Sequence, residues 1–497
     1  MGGLAAAIRL AASGVQVTIL EAASVPGGKM RTTDSVAGPI DSGPTVLTLR
    51  GIFEDLFASA GESMGDHLRL LAPDVIARHL WSDGATLDLH ADPERNARAI
   101  RAFAGVRAEG EFRAFSAQAR ALHHAFDAPM IQAARPDPLG VAVAALSAPR
   151  TWSALLPGRT LAGALRARFT DPRLRQLFGR YATYVGGAPA LSPAVLGLIW
   201  DVEQAGVWAV EGGMARLAQA LALLAQARGA ELLTDCAVER IDAPDGTVRS
   251  VRLAGGGTIR CDALVFNGDP AALATGLMGP DCRRAVTRSA VDPRSLSARV
   301  WAFAARPRGV ELALHTVFFA DSEDAEFGAL AQGQHPQNPT IYVCAQDRLD
   351  PVAPQGAERF EMILNAPALA QGDACASQEF ETCRQMTFDR LRRFGLTFGP
   401  MTAPPVLTRA QDFARLFPGS AGALYGRSPA GMAASFRRPT ARTRIKGLYL
   451  AGGGVHPGPG IPMATLSGRH AAEAIMHDRA LTWQSRPMAM RGGMSTG

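Results

Sequence analysis

Met1-Gly2-Gly3-Leu4-Ala5-Ala6-Ala7-Ile8-Arg9-Leu10-Ala11-Ala12-Ser13-Gly14-Val15-Gln16-Val17-Thr18-Ile19-Leu20-Glu21 is the stretch whose reading decides the fold. Leu4 to Ala12 is built of strong helix formers, and Gly14 predicts a C-terminal stop. Val15 to Leu20 reads as a β-branched strand with Glu21 at its carboxyl end. A helix entered through glycines and followed by a strand ending on an acid is the latter part of a βαβ dinucleotide unit. Gly3 takes the place of the third glycine of G-x-G-x-x-G, where a small residue lets helix and strand pack closely. Glu21 follows it by 18 residues, near the spacing of ~20 for an acid that grips a ribose hydroxyl. The same residues also read as an ordinary alanine-rich helix followed by a strand. In register, Met1, Gly2 and Gly3 fill the last three positions of the fingerprint, so its first strand and earlier glycines would precede Met1. Two expectations follow: about a dozen residues stand upstream, or the chain has lost its pyrophosphate turn.

The far end of the chain repeats the theme. Gly447-Leu448-Tyr449-Leu450-Ala451 reads as a buried strand running into Gly452-Gly453-Gly454-Val455-His456-Pro457-Gly458-Pro459-Gly460-Ile461-Pro462. A helix is predicted from Met463 or Ala464 through Ser467, Gly468, Ala471 and Ala474. Strand, glycine-rich loop and helix start is the layout that turns backbone N–H groups toward an anionic ligand. Five glycines and three prolines in eleven residues are hard to explain as a plain loop.

Composition removes whole classes of function. At 497 residues the chain holds several folding units, and its 47% apolar and 19% charged content excludes global disorder. No apolar run approaches the ~20 residues of a spanning helix, and no signal peptide is expected. The net charge of +6 invites a nucleic-acid reading, but all but two of the 51 basic residues are scattered arginines rather than a stripe. No nucleic-acid partner is expected. The six cysteines form no CxxC pair and no cluster at metal spacing, so a reduced, cytoplasmic protein without a metal is expected.

Between the ends, Leu217, Leu221 and Leu224 recur at helical spacing after Glu211-Gly212-Gly213-Met214, with Gly229 closing the helix. Strands are predicted at 231–234, 238–241, 248–253 and 261–267, with Asp245-Gly246 as a turn. The fold class is α/β: segments 1–65, 200–280 and 435–480 make one interrupted, Rossmann-like nucleotide-binding domain. It is interleaved with an α+β substrate domain from 66–199 and 281–434. There Arg78 to His90 predicts a hairpin around Asp83-Gly84, residues 92–200 are mainly helical, and further strands fall near 298–304, 340–344 and 360–364. Residues 481–497 are expected as a loose tail.

These residues resemble the carotenoid (phytoene-type) desaturases within the flavin amine-oxidase-like superfamily. The likeness covers nearly the whole chain. It is carried by Gly2-Gly3-Leu4-Ala5-Ala6-Ala7, Glu21, Pro26-Gly27-Gly28-Lys29, Asp41-Ser42-Gly43-Pro44-Thr45 and Glu211-Gly212-Gly213-Met214. It continues through Asp350-Pro351, Ala353-Pro354-Gln355-Gly356 and, most specifically, Leu448 to Gly458 with its His-Pro-Gly run. The chain is most similar to the branch that introduces a C-3,4 double bond into 1-hydroxy or 1-methoxy acyclic carotenoids. Gly460-Ile461-Pro462-Met463-Ala464 departs from the Gly-Val-Pro-Gly-Val usual in phytoene desaturases.

The resemblance implies an FAD-dependent desaturase in carotenoid biosynthesis, acting on an acyclic C40 carotenoid with quinone or oxygen as electron acceptor. By position it implies Gly2 and Gly3 at the FAD pyrophosphate, Glu21 on the adenosine ribose and Val238 at adenine. It implies Gly28 and Lys29 along the passage to the flavin ring, and Gly453, Met463 and Ala464 at its pyrimidine end. His456 is a candidate proton acceptor because imidazole titrates near neutrality, and equally a loop histidine held by backbone. Asp201, Glu203 and Glu211 are further candidates with surface or capping roles as the alternative, so no catalytic base is assigned.

A C40 hydrocarbon resides in the bilayer, so peripheral association with the inner, photosynthetic membrane is expected. Residues 138–169, with Leu139, Val141, Val143, Leu146, Trp152, Leu155, Leu156, Leu161 and Leu165 among arginines, read either as that interfacial surface or as a buried helix pair lining a tunnel. Two other readings stay open: another flavin oxidase, for which five tyrosines offer little aromatic lining, and a lipid-carrying escort protein of the same fold.

Overall fold

In the computed structural model, which describes residues 1–349, 354, 356–369, 379–399, 401 and 403–484, the helix Gly2–Ala12 leads into the strand Thr18–Leu20. The strand is shorter than the predicted Val15 to Leu20. The Val15 N–H instead donates to Leu10 O at 3.0 Å and closes the helix, with Gly14 left-handed at φ +77°.

Thr18–Leu20 pairs in parallel with Glu231–Leu233, and Leu264–Phe266 pairs in parallel with Leu448–Leu450. Parallel neighbours need crossover connections, so each pair joins distant parts of the chain. The helix Ala215–Ala227 buries Leu217, Leu221 and Leu224 against Leu4, Ala5 and Ile8, as their spacing predicts. Val238–Asp242, Ser250–Leu253 and Thr258–Arg260 form an antiparallel meander beside them.

The other large element is a seven-stranded mixed sheet. Its order is Val406–Thr408, Ser297–Ala305, Glu358–Ala366, Ile341–Ala345, His315–Phe318, Val75–Leu80, Thr86–His90. The last two strands are the predicted hairpin. Ser297–Ala305 is buried at every position, which is why it reads as an almost continuous apolar run. The long helix Pro93–Phe126, interrupted at Gly105, seats Phe112 and Phe115 among Phe169, Phe178, Tyr181 and Trp200.

Residues 138–169 divide between their two expectations. The helix Pro138–Leu146 has no buried residue, and Leu139, Val143, Leu146, Trp152 and Leu156 are exposed, whereas Leu161, Leu165 and Phe169 are buried. Among the described residues no helix is long and apolar enough to cross a membrane. The last helix, Ile461–Gln484, begins two residues before Met463 and carries helical structure into the segment expected as a tail. Residues 485–497 lie outside the described residues, as do Asp350, Pro351, Ala353 and Gln355 of the middle motif.

Candidate active site

Several glycines of the predicted motifs are contact points between backbones. A Cβ on Gly2 would stand 2.6 Å from Gly452 N, and one on Gly468 would stand 2.3 Å from Gly2 O and 3.0 Å from Ala6 N. The first and last helices and the loop after Leu448–Leu450 therefore meet main chain to main chain. Asn267, at the end of Leu264–Phe266, ties them together. It accepts the Gly3 N–H on Oδ1 at 2.7 Å and donates from Nδ2 to Ala451 O at 3.0 Å.

A second junction joins motifs far apart in sequence. The Asp41 carboxylate accepts the backbone N–H groups of Met214 at 2.6 Å and Ala215 at 3.1 Å, holding the start of Ala215–Ala227. Burial raises the Asp41 carboxyl above its ordinary range, and those two N–H groups oppose the shift. A Cβ on Gly43 would fall 2.0 Å from Lys29 O, so the turn Pro26 to Lys29 rests directly on the Asp41-Ser42-Gly43 segment.

These junctions border a cavity of about 1040 Å³. Of the residues expected to hold a cofactor, Gly2, Gly28, Lys29, Gly453, Met463 and Ala464 line it, whereas Gly3, Glu21 and Val238 lie outside its wall. Gly3 packs on the side chain of Asn267, one residue past the strand Leu264–Phe266. Glu21 follows Thr18–Leu20 and accepts the Ala23 N–H at 3.0 Å. Val238 packs near Leu20 in a separate apolar cluster.

The glycine-rich end of the cavity is electropositive. Burial pulls the Lys29 ammonium down to about 8, with Asp269 opposing and Arg294 assisting, and its Nζ donates to Leu424 O. Burial likewise brings Arg438 down to about 10, and its guanidinium donates to Tyr425 O at 3.1 Å and Arg427 O at 2.7 Å. The N-termini of Gly2–Ala12 and Ile461–Gln484 border the same end, and neither carries an acid in its first turn. Free N–H groups and the positive end of each helix dipole thus face the cavity.

His456 lies outside the cavity wall. It is buried, its Nε2–H donates to Ala133 O at 3.0 Å, and burial lowers it to about 4 against the pull of that hydrogen bond. It is neutral at physiological pH. Asp201 accepts from His123 Nδ1 at 2.9 Å, and exposed Glu211 pairs with Arg69 at 3.1 Å. Glu203 is different: it is buried in the cavity wall and accepts the hydroxyls of Tyr181 and Tyr184, the latter at 2.8 Å.

Sequence reasoning missed Asn267, Arg180, Tyr184, His315, Tyr342, Glu361 and Tyr425, all of which line the cavity. Tyr342 OH is 2.7 Å from both His315 Nδ1 and Thr45 Oγ1. Burial, reinforced by Arg180, takes His315 down to about 3, so it stays neutral. The small number of tyrosines does not leave the cavity without them: three of the five are in its wall. The available signal was Tyr342 itself, a polar aromatic in the otherwise apolar strand Ile341–Ala345.

Residues 1–476 match the family model described as flavin containing amine oxidoreductase. The chain belongs to this family. It is an FAD-dependent oxidoreductase, and the site suits FAD. The glycine contacts leave bare backbone, and two helix N-termini with Lys29 and Arg438 supply the positive charge that a pyrophosphate and a flavin ring require. Among its relatives, the hydroxyneurosporene desaturase of Cereibacter sphaeroides is 55% identical over 480 residues, covering 97% of this chain and 96% of that one. The hydroxyneurosporene desaturase of Rhodobacter capsulatus is 49% identical, covering 96% of each. In fold the enzyme is similar to a solved putrescine oxidase bound to putrescine, with TM-score 0.60 and 14% identity, covering 96% of this chain and 97% of that one.

Proposed function

We propose that this flavoenzyme desaturates an acyclic carotenoid, introducing a C-3,4 double bond into a 1-hydroxy or 1-methoxy substrate at a membrane surface. The observation that carries this reading is the character of the cavity. A single space joins the electropositive glycine end to apolar walls from Phe126, Met130, Val141, Leu155 and Ile199, a shape suited to a hydrocarbon beside FAD. The identity to two hydroxyneurosporene desaturases over nearly the full length supports the substrate class.

When bound, FAD supplies the acceptor for the two electrons that leave a C–H bond beside the polyene. The protein's share is placement, charge and dryness. The N-terminus of Ile461–Gln484 favours negative charge near Met463 and Ala464, as do Lys29 and Arg438. The apolar walls hold the chain extended and exclude water. His315 and His456 keep their neutral forms, and Glu203 is occupied by two tyrosine hydroxyls.

We assign Gly2, Gly28, Lys29, Gly453, Met463 and Ala464 to the FAD site and Glu21 to the ribose, in a cofactor domain of residues 1–65, 200–280 and 435–480. The exposed side chains Leu139, Val143, Leu146, Trp152 and Leu156 surround the wall residues Val141, Ala142, Ala145 and Leu155, which supports this surface as the membrane-facing mouth. Quinone or oxygen takes the electrons away.

The test is a pigment assay in a neurosporene-producing host that also hydroxylates its carotenoid. Expression of the enzyme shifts the hydroxylated pigment to longer wavelength. An unchanged hydroxylated pigment with consumption of phytoene would replace the substrate assignment with phytoene.

A further inference from the structure

Glu361 is the one carboxylate in the cavity wall with nothing bonded to it among the described residues. It is fully buried, and neither side-chain oxygen has a hydrogen-bond partner. Its place follows from register. Glu361, Ile363 and Asn365 alternate along Glu358–Ala366 and all line the cavity, so the carboxyl is on the cavity side of the sheet. Directly opposite it stand Ala302 on one side and Cys344 on the other, neither of which offers it a hydrogen bond.

Its polar neighbours on the adjoining strands make hydrogen bonds elsewhere, although His315 Nε2 and Arg180 Nε in the same wall are also without a partner. Tyr342 is held by His315 and Thr45, while Asn365 and Thr340 donate to Glu326. A buried carboxyl with two unmade hydrogen bonds is costly unless a ligand completes them. Burial, with Asp41 adding to it and Arg31 opposing, raises Glu361 well above the carboxylate range, so it is a neutral acid that both donates and accepts.

Glu361 also lies toward the cofactor end. It acts electrostatically on Tyr425, whose neighbour Gly426 would bring a Cβ to 3.0 Å from Gly454 Cα in the glycine-rich loop. In a 1-hydroxylated substrate desaturated at C-3,4, the oxygen is only two carbons from the reacting bond. Whatever reads it must therefore stand close to the cofactor.

We propose that Glu361 recognises the hydroxyl of the substrate's terminal carbon and so decides which end of the polyene is presented for reaction. This rests on the desaturase reading above. An alcohol has one donor and one acceptor face and satisfies both carboxyl oxygens at once. An apolar wall alone discriminates weakly for or against a hydroxyl, whereas a buried partner left unpaired discriminates strongly.

The test compares neurosporene with its 1-hydroxy derivative in vesicles, using flavin-loaded wild type, Glu361→Leu and Glu361→Gln. The ratio of kcat/KM for the hydroxylated over the unhydroxylated carotenoid should fall about ten-fold or more in Glu361→Leu. Glu361→Gln, which still donates and accepts, should retain most of the preference. An unchanged ratio in Glu361→Leu with intact flavin absorbance overturns the proposal. So does loss of turnover on both substrates in Glu361→Gln, which would make Glu361 a proton acceptor instead. Equilibrium binding of the two pigments, read by their absorbance shift, separates this idea from the reaction. If wild type converts neither pigment, the desaturase reading fails; a binding preference abolished in Glu361→Leu then still supports the assignment, and one retained there overturns it.

Discussion

The Asp41 carboxylate accepts the Met214 backbone N–H at 2.6 Å, joining the short strand Ile40–Asp41 to the start of a helix more than 170 residues later. The Ala215 N–H shares the same carboxylate. Asp41→Ala leaves both buried donors unpaired and should cost about 1–3 kcal/mol in urea unfolding, with Asp41→Asn intermediate because one amide oxygen still accepts. Equal stability of wild type and Asp41→Ala would show that the helix start finds other acceptors.

Gly468 permits the contact between the first and last helices, since its added Cβ would meet Gly2 O at 2.3 Å, an atom that cannot swing aside. Gly468→Ala should therefore force the helices apart, destabilise the protein by about 1–3 kcal/mol and lower the flavin-to-protein absorbance ratio. A variant with the wild-type ratio and melting temperature would show that the backbone yields without loss.

Acid should weaken the fold through His456. Its folded-state value is about 4, against an ordinary 6.5, because the ring is buried. Between pH 6.5 and 4 the unfolded chain binds a proton that the folded chain refuses, so stability falls as pH drops through that window. The loss from this residue is at most about 3 kcal/mol. His456→Gln keeps a donor for Ala133 O and cannot titrate, so chemical denaturation across pH 4–7 should show a shallower decline.

The exposed apolar side chains near the cavity mouth make a further prediction. Replacing Leu139, Val143, Leu146 and Trp152 by serine should abolish flotation with liposomes while leaving the flavin spectrum and melting temperature unchanged, because none of the four is buried. Persistent flotation would move the membrane-facing surface elsewhere.

Local patterns made much of this legible. Helical leucine spacing, the Asp83-Gly84 turn and the glycine-rich loops each report short-range geometry, and the structure has helix, hairpin and close backbone approach at those places. Six of the residues expected at the cofactor fall in one wall for the same reason: they belong to contiguous motifs. What sequence hides is adjacency between strands. Glu361 reads as one charged residue in an apolar run. Its isolation depends on Ala302 and Cys344 being its neighbours across the sheet, which strand order alone decides. Tyr184 and Arg180 are hidden likewise, since their partner Glu203 belongs to the next helix. The strand predicted from Val15 began late because Val15 was needed to finish the helix before it.

The parallel pairing of Leu264–Phe266 with Leu448–Leu450, and the seating of Gly2 on Gly452, set a timetable for biosynthesis. The helix Gly2–Ala12 is translated long before Gly452 and Gly468, the backbone positions on which Gly2 is seated. A nascent chain can cover part of the apolar face of Gly2–Ala12 once Ala215–Ala227 is made, but the cradle stays unfinished until the last helix follows. A chain stopped short of residue 461 would keep only one of the two helix N-termini that border the cofactor end of the cavity.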